Sequence, residues 1–208
     1  MRATNREPVA IGTAVIDARS WFHYNADMDK KDIIFYLEGI DGALRSRAKL
    51  YVYGSAACIL LGEPGRTSLD IDVAGPYSEV DETDLRAAAL AAGIPVNPAA
   101  DYDGDHIEWV GPLRLCLQPP VAGGGLTLWQ GARLSIHTGG IAELVASKLI
   151  RYDDIDRSDI QYLLNLRRLR YSEIERAAEC LPAPFDRDVL VRENLVNLRQ
   201  DMAIWGLD

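Results

Sequence analysis

Cysteine is scarce in this chain, and the three present, Cys58, Cys116 and Cys180, are far apart in sequence. No CxxC pair exists, which argues against a zinc knuckle or a redox dithiol. Free thiols among apolar neighbours imply buried cysteines in a reducing compartment, so a cytoplasmic location is expected. Histidine is equally sparse. His23, His106 and His137 show no ligand spacing, which argues against catalytic zinc. No apolar run approaches the roughly 18 residues needed to span a bilayer, so no membrane partner is expected. The polar N-terminus lacks the apolar centre of a secretory signal. A surplus of basic residues is also missing, because the net charge is −9. That disfavours a protein that coats nucleic acid by neutralising phosphates, though not a local basic patch. Arg167, Arg168 and Arg170 form one such run, and Arg45, Arg47 and Lys49 another. Solvated faces are the plainer account of both.

What is present is ordinary globular material, with 48% apolar and 25% charged residues in 208. The first 25 or so residues have weak periodicity. From Lys30 to Arg47, Ile33, Ile34, Tyr36, Leu37, Ile40 and Leu44 recur at helical spacing. Leu50 to Gly54 reads as a buried strand, Ser55 to Leu61 as a helix closed by Gly62, and Ser68 to Ala74 as a second strand. A helix is expected over Glu82–Ala92, N-capped by Asp81 and closed by Gly93. Strands are expected over His106–Val110, Leu113–Gln118 and Leu126–His137, the last broken at Gly131, with the glycines at 123–125 in a loop. Helical patterns follow over Ile141–Tyr152, Arg157–Leu169, Ser172–Leu181 and Arg187–Trp205. The order predicts an α+β fold, a small mixed sheet with flanking helices and a helical C-terminal half. It divides into a core at 1–137 and a helical region at 138–208 packed on it. Trp205 is expected to serve packing.

Two features fit one chemistry. Gly54 and Ser55 stand at a strand-to-helix junction, where free helix N–H groups, the helix dipole and a hydroxyl can seat a phosphate. On the next strand Asp70 and Asp72 share one face, their Cα atoms roughly 6.5–7 Å apart. Strands are poor in aspartate, and like charges on one face call for a cation. Both carboxylates can lean onto Mg²⁺, or Mn²⁺, while the metal also meets substrate phosphates. The plainer alternative is an edge strand with two solvated acids. The acidic run at Asp153, Asp154, Asp156 and Asp159 is not a calcium loop, since in a loop starting at Asp154 the sixth and twelfth positions hold Asp159 and Asn165 in place of Gly and Glu.

Gly54-Ser55 followed by Arg66-Thr67-Ser68-Leu69-Asp70-Ile71-Asp72 resembles the signature of the polymerase-β-type nucleotidyltransferases. More narrowly, it is similar to the AbiEii and MenT-like nucleotidyltransferases of bacterial toxin–antitoxin systems. The stretch from Ile141 to Arg151, with Lys148, resembles that group's lysine-bearing helix, and Arg157 to Leu163, with Asp159, its following segment. The resemblance covers roughly Leu50 to Leu164. It implies Asp70, Asp72, Lys148 and Asp159 as catalytic residues and Gly54, Ser55, Ser68 and Lys148 as nucleotide ligands. It implies metal held by Asp70, Asp72 and a third carboxylate, for which Glu108 is the first choice and Asp105 its rival. The implied reaction is transfer of a nucleoside monophosphate from a triphosphate to an RNA, tRNA included, or to a protein side chain. A cognate antitoxin is the implied partner of a toxin. Asp159 can also pair with Lys148 and orient it, or the two can be a simple surface ion pair. Two other readings stay open: a nucleotide- or partner-binding module of the same fold without turnover, and a DxD phosphohydrolase of the haloacid-dehalogenase type. In the latter the Gly54-Ser55 turn has no task.

Overall fold

A computed structural model describes residues 27–121 and 125–207. The N-terminal stretch and glycines 123 and 124 of the expected loop lie outside the described residues. Helix α1 (Lys30–Ala43) opens on a capping box, in which Asp29 accepts from the Lys31 and Asp32 amides and Asp32 accepts in return from Asp29 N–H. Strand β1 (Ala48–Tyr51) runs into α2 (Gly54–Leu61). Strand β2 (Asp70–Ala74), α3 (Glu82–Ala91) and β3 (His106–Val110) form a parallel β-α-β unit. Strands β4 (Leu126–Gln130) and β5 (Leu134–Thr138) make an antiparallel pair with a bulge between Thr127 and Trp129. Four helices complete the chain: α4 (Ile141–Lys148), α5 (Asp154–Leu166), α6 (Tyr171–Glu179) and α7 (Val189–Trp205).

The fold is therefore α+β with a small mixed sheet, as the pattern predicts. One sheet has the order β1-β5-β4 with β1 and β5 parallel; the other is the β2-β3 pair. They meet along a seam at Val52 and Val73, where Tyr53 N–H donates to Asp72 C=O at 3.1 Å. Helices α1 and α3 pack closely because Gly39 has no side chain, and a Cβ there would stand 2.9 Å from that of Ala92. One apolar core runs from Met28 through the strands to Leu198 and Met202 of α7, so the helical half shares the core of the sheet. Trp205 packs partly buried against it. No described helix is long and apolar enough to cross a membrane.

Several expectations need correcting. Leu113–Gln118 is not a strand. Its Leu115 and Leu117 are buried, so the alternation is real, but Pro112 and the Pro119-Pro120 pair remove ladder donors at both ends. Ser68 precedes β2 and makes only a two-bond bridge to Met28. Helix α4 stops at Lys148, and Tyr152 takes a positive φ of 54° before Asp153 caps α5. Of the cysteines only Cys58 is fully buried; Cys116 is half-buried and Cys180 exposed. The acidic run divides its labour. Asp153 accepts from the Asp156 amide, Asp154 faces solvent toward Arg157, and Asp156 and Asp159 point inward.

Candidate functional site

The end of β1, the start of α2, strand β2 and the C-terminal end of α4 enclose a cleft of about 280 Å³. Gly54 sits at its corner with φ +65°, and a Cβ there would lie 2.5 Å from Asp72 Oδ2. Glycine is thus required twice, for the left-handed turn and for the approach of the aspartate. Helix α2 begins there, and among the described residues no side chain caps its first amides.

Asp70 and Asp72 lie on one face of β2, as their spacing predicts, and both line the cleft. Parallel pairing sets Glu108 beside Asp72 and His106 beside Asp70. Carboxylate oxygens of Asp70, Asp72 and Glu108 all fall within 4.8 Å of one another. The rival third carboxylate is turned away, since Asp105 accepts from the Tyr36 hydroxyl at 2.8 Å. Among the described residues Glu108 is paired only with the largely exposed Arg114, at 2.6 Å, and Ser68 Oγ donates to Asp70 at 3.2 Å. Asp72, among the described residues, has no ion-pair partner. Burial first, then the neighbouring charges of Asp70 and Glu108, push its carboxyl up to about 7. A cation among the three oxygens would reverse that cost, so the donor set fits a hard divalent ion.

On the other side of the cleft the charges are compensated. Lys148, with a side chain 5% exposed, reaches both Asp156 at 3.3 Å and Asp159 at 2.5 Å. Burial works against its ammonium, but Cys58, Asp159 and Asp156 outweigh it and hold its pKa above the ordinary value. Asp159 is fully buried and also takes Arg66 Nε at 3.0 Å. Arg66 in turn donates to Ser55 Oγ and to the Thr67 carbonyl. The expected Lys148–Asp159 pair is thus present, in the interior rather than on the surface. Lys148 and Ser55 line the cleft; Asp159 and Ser68 do not, and each acts on a residue that does.

Sequence reasoning missed four lining residues of consequence. Tyr53 and Cys116 cover the carboxylates, and Asp156 and Arg151 edge the far side. Asp156 was legible as the residue three before Asp159, on one face of α5. Arg151 is 63% exposed and bridges Asp153 and Asp156, so it offers a cation at the mouth of the cleft. Tyr53 follows from the alternation of β1, whereas Cys116 sits in a segment without regular structure and carried no signal. Burial, with Asp72 next, raises the Cys116 thiol to about 11, so it stays protonated. No family model, curated protein or solved structure matches the chain.

Proposed function

We propose that the chain is a Mg²⁺-dependent nucleotidyltransferase that moves a nucleoside monophosphate from a triphosphate to a hydroxyl acceptor. The observation that carries this reading is the trio of carboxylates on two adjacent strands, with oxygens within 4.8 Å of one another, pressed against the Gly54 turn. Asp70, Asp72 and Glu108 would hold the metal, which supplies charge neutralisation of the polyphosphate and a more acidic acceptor hydroxyl. The α2 amides and the Ser55 hydroxyl receive phosphate oxygens. Arg66 uses an acceptor lone pair of Ser55, which leaves the Ser55 proton free to donate. Arg151 meets the triphosphate from the opposite rim. Lys148 contributes positive potential while its ammonium stays held by Asp156 and Asp159. In the reaction the acceptor oxygen bonds to the α-phosphorus and the bond to the β-phosphate oxygen breaks. Pyrophosphate leaves, and the hydroxyl proton passes to Glu108. Positioning and electrostatics account for most of the rate.

RNA or a protein side chain remains the proposed acceptor, and a cognate antitoxin the proposed partner of a toxin of this kind. The reading is tested by incubating the protein with α-labelled triphosphates, Mg²⁺ and total RNA or protein. Label should enter a macromolecule, and Asp72→Asn should reduce transfer by more than roughly 100-fold, the upper end of what second-shell changes cost at metal sites. Nucleotide binding without transfer in wild type would instead support a binding module. The commitment of Lys148 to two carboxylates favours that second reading.

A further inference from the structure

Along β1 and the two residues that follow it, Lys49, Tyr51 and Tyr53 stand at alternate positions of extended chain, which sends their side chains to one side, Lys49 half-buried and the two tyrosines buried. Tyr53 lines the carboxylate cleft. Lys49 also lines two adjoining cavities of about 420 and 470 Å³, which share Lys49 and Glu79. Arg47 and Arg133 add cations to the first, and Tyr51, Tyr77 and His137 give rings to the second. Among the described residues Glu79 is the only carboxylate lining either, and its side chain is 74% exposed, so its 3.4 Å pair with Lys49 is weak. In a chain of net charge −9 this is a local reversal of sign. The rings are arrayed as a floor. Tyr51 and His137 lie 5.8 Å apart between centroids, and the Lys49 ammonium stands 5.0 Å from the Tyr51 ring.

Cations spaced along a groove with rings at its floor match phosphates and unstacked bases together. A duplex hides its base faces and would leave the rings without a partner. We infer that this face docks a single-stranded nucleic-acid segment, with phosphates on Arg47, Lys49 and Arg133 and a base on the His137–Tyr51 floor. Lys49 and Tyr53 are four residues of extended chain apart, roughly 13 Å, so a nucleic-acid segment held here lies within reach of the cleft. Its role as acceptor rests on the transferase reading; the docking does not.

The test is fluorescence anisotropy with a labelled 12-nucleotide oligouridylate, without triphosphate or metal. Arg47→Ala with Arg133→Ala, both exposed positions, should weaken binding about tenfold or more. The double change should also make the slope of log K against log salt shallower by about 1.4, two phosphates' worth. His137→Ala should weaken binding about fivefold or more with the salt slope unchanged. Asp72→Asn should bind as wild type does. Equal affinity for a duplex, wild-type affinity in the double variant, or retention of poly-glutamate but not of the oligonucleotide would each overturn the docking. Oligonucleotide binding here, with no label entering RNA or protein in the transfer assay, would overturn the transferase reading and leave this face standing.

Discussion

Two groups of carboxylates flank the cleft, and they are balanced in opposite ways. Asp156 and Asp159, on α5, are buried with Lys148, Arg66 and Arg151 against them. Asp70, Asp72 and Glu108, on the sheet, are half-buried and crowd one another, and among the described residues only the exposed Arg114 makes an ion pair with any of them. Charges that the chain compensates itself hold structure in place. Charges left uncompensated at a cleft raise the energy of the empty site and make it receptive to a cation.

The contrast is sharpened most on the compensated side. Lys148→Met removes the cation shared by two buried carboxylates, leaving Asp159 to Arg66 and Asp156 to Arg151, and should cost about 3 kcal/mol of stability. Adding Asp159→Asn removes one of the under-compensated charges and should recover part of the loss in urea unfolding. A loss under about 1 kcal/mol would mean that this cluster is solvated in the manner of a surface pair.

On the uncompensated side the sign is opposite. The unfolded chain releases the Asp72 proton near its ordinary 3.8, whereas the folded protein keeps it to about 7. The folded state therefore binds more protons between those values, and stability falls as pH rises through that window. Asp72→Asn removes the penalty. It should stabilise the metal-free protein at pH 8 by up to about 4 kcal/mol, and by less at pH 5. Equal unfolding midpoints for variant and wild type at pH 8, measured in chelator, would break the comparison.

Mg²⁺ should act on the same site with a somewhat smaller effect. At 100 times its Kd it should stabilise wild type by about 2.7 kcal/mol and leave Asp72→Asn unmoved. Because Asp72 must lose its proton to bind, affinity should be about tenfold tighter at pH 8 than at pH 6. A thermal shift that is the same at both pH values would remove Asp72 from the ligand set.

The sheet side of this contrast was legible in the sequence, and the helical side was less so. Asp70 and Asp72 declare themselves by a period of two within a β-branched strand, and Gly54 by its place between strand and helix. Glu108 needed the register of β3, which the chain order alone does not fix, so Asp105 stood as its rival. Lys148 and Asp159 were visible as a pair, but their depth was not, since burial depends on how α4 and α5 meet the core. The Leu113–Gln118 segment misled because its alternation is that of a strand while its prolines deny it a ladder. Arg66 stood in the sequence only at the head of the Arg66–Asp72 motif, and only folding brings it back to Ser55 and Asp159.

Arg66 joins the two sides, and the smallest prediction concerns that joint. Its guanidinium touches Asp159 in the compensated cluster and Ser55 at the cleft. If Ser55 serves mainly to present its proton to phosphate, Ser55→Ala should cost only about 0.5–1.5 kcal/mol of stability, the net worth of one hydrogen bond. Nucleotide affinity should fall by a similar amount, roughly three- to tenfold by equilibrium dialysis. Ser55→Thr keeps the hydroxyl and should retain most of that affinity. Should Ser55→Ala instead destabilise the fold as much as Lys148→Met, the hydroxyl would belong to the buried network, and the division between the two sides of the cleft would fall at Asp72 rather than at Ser55.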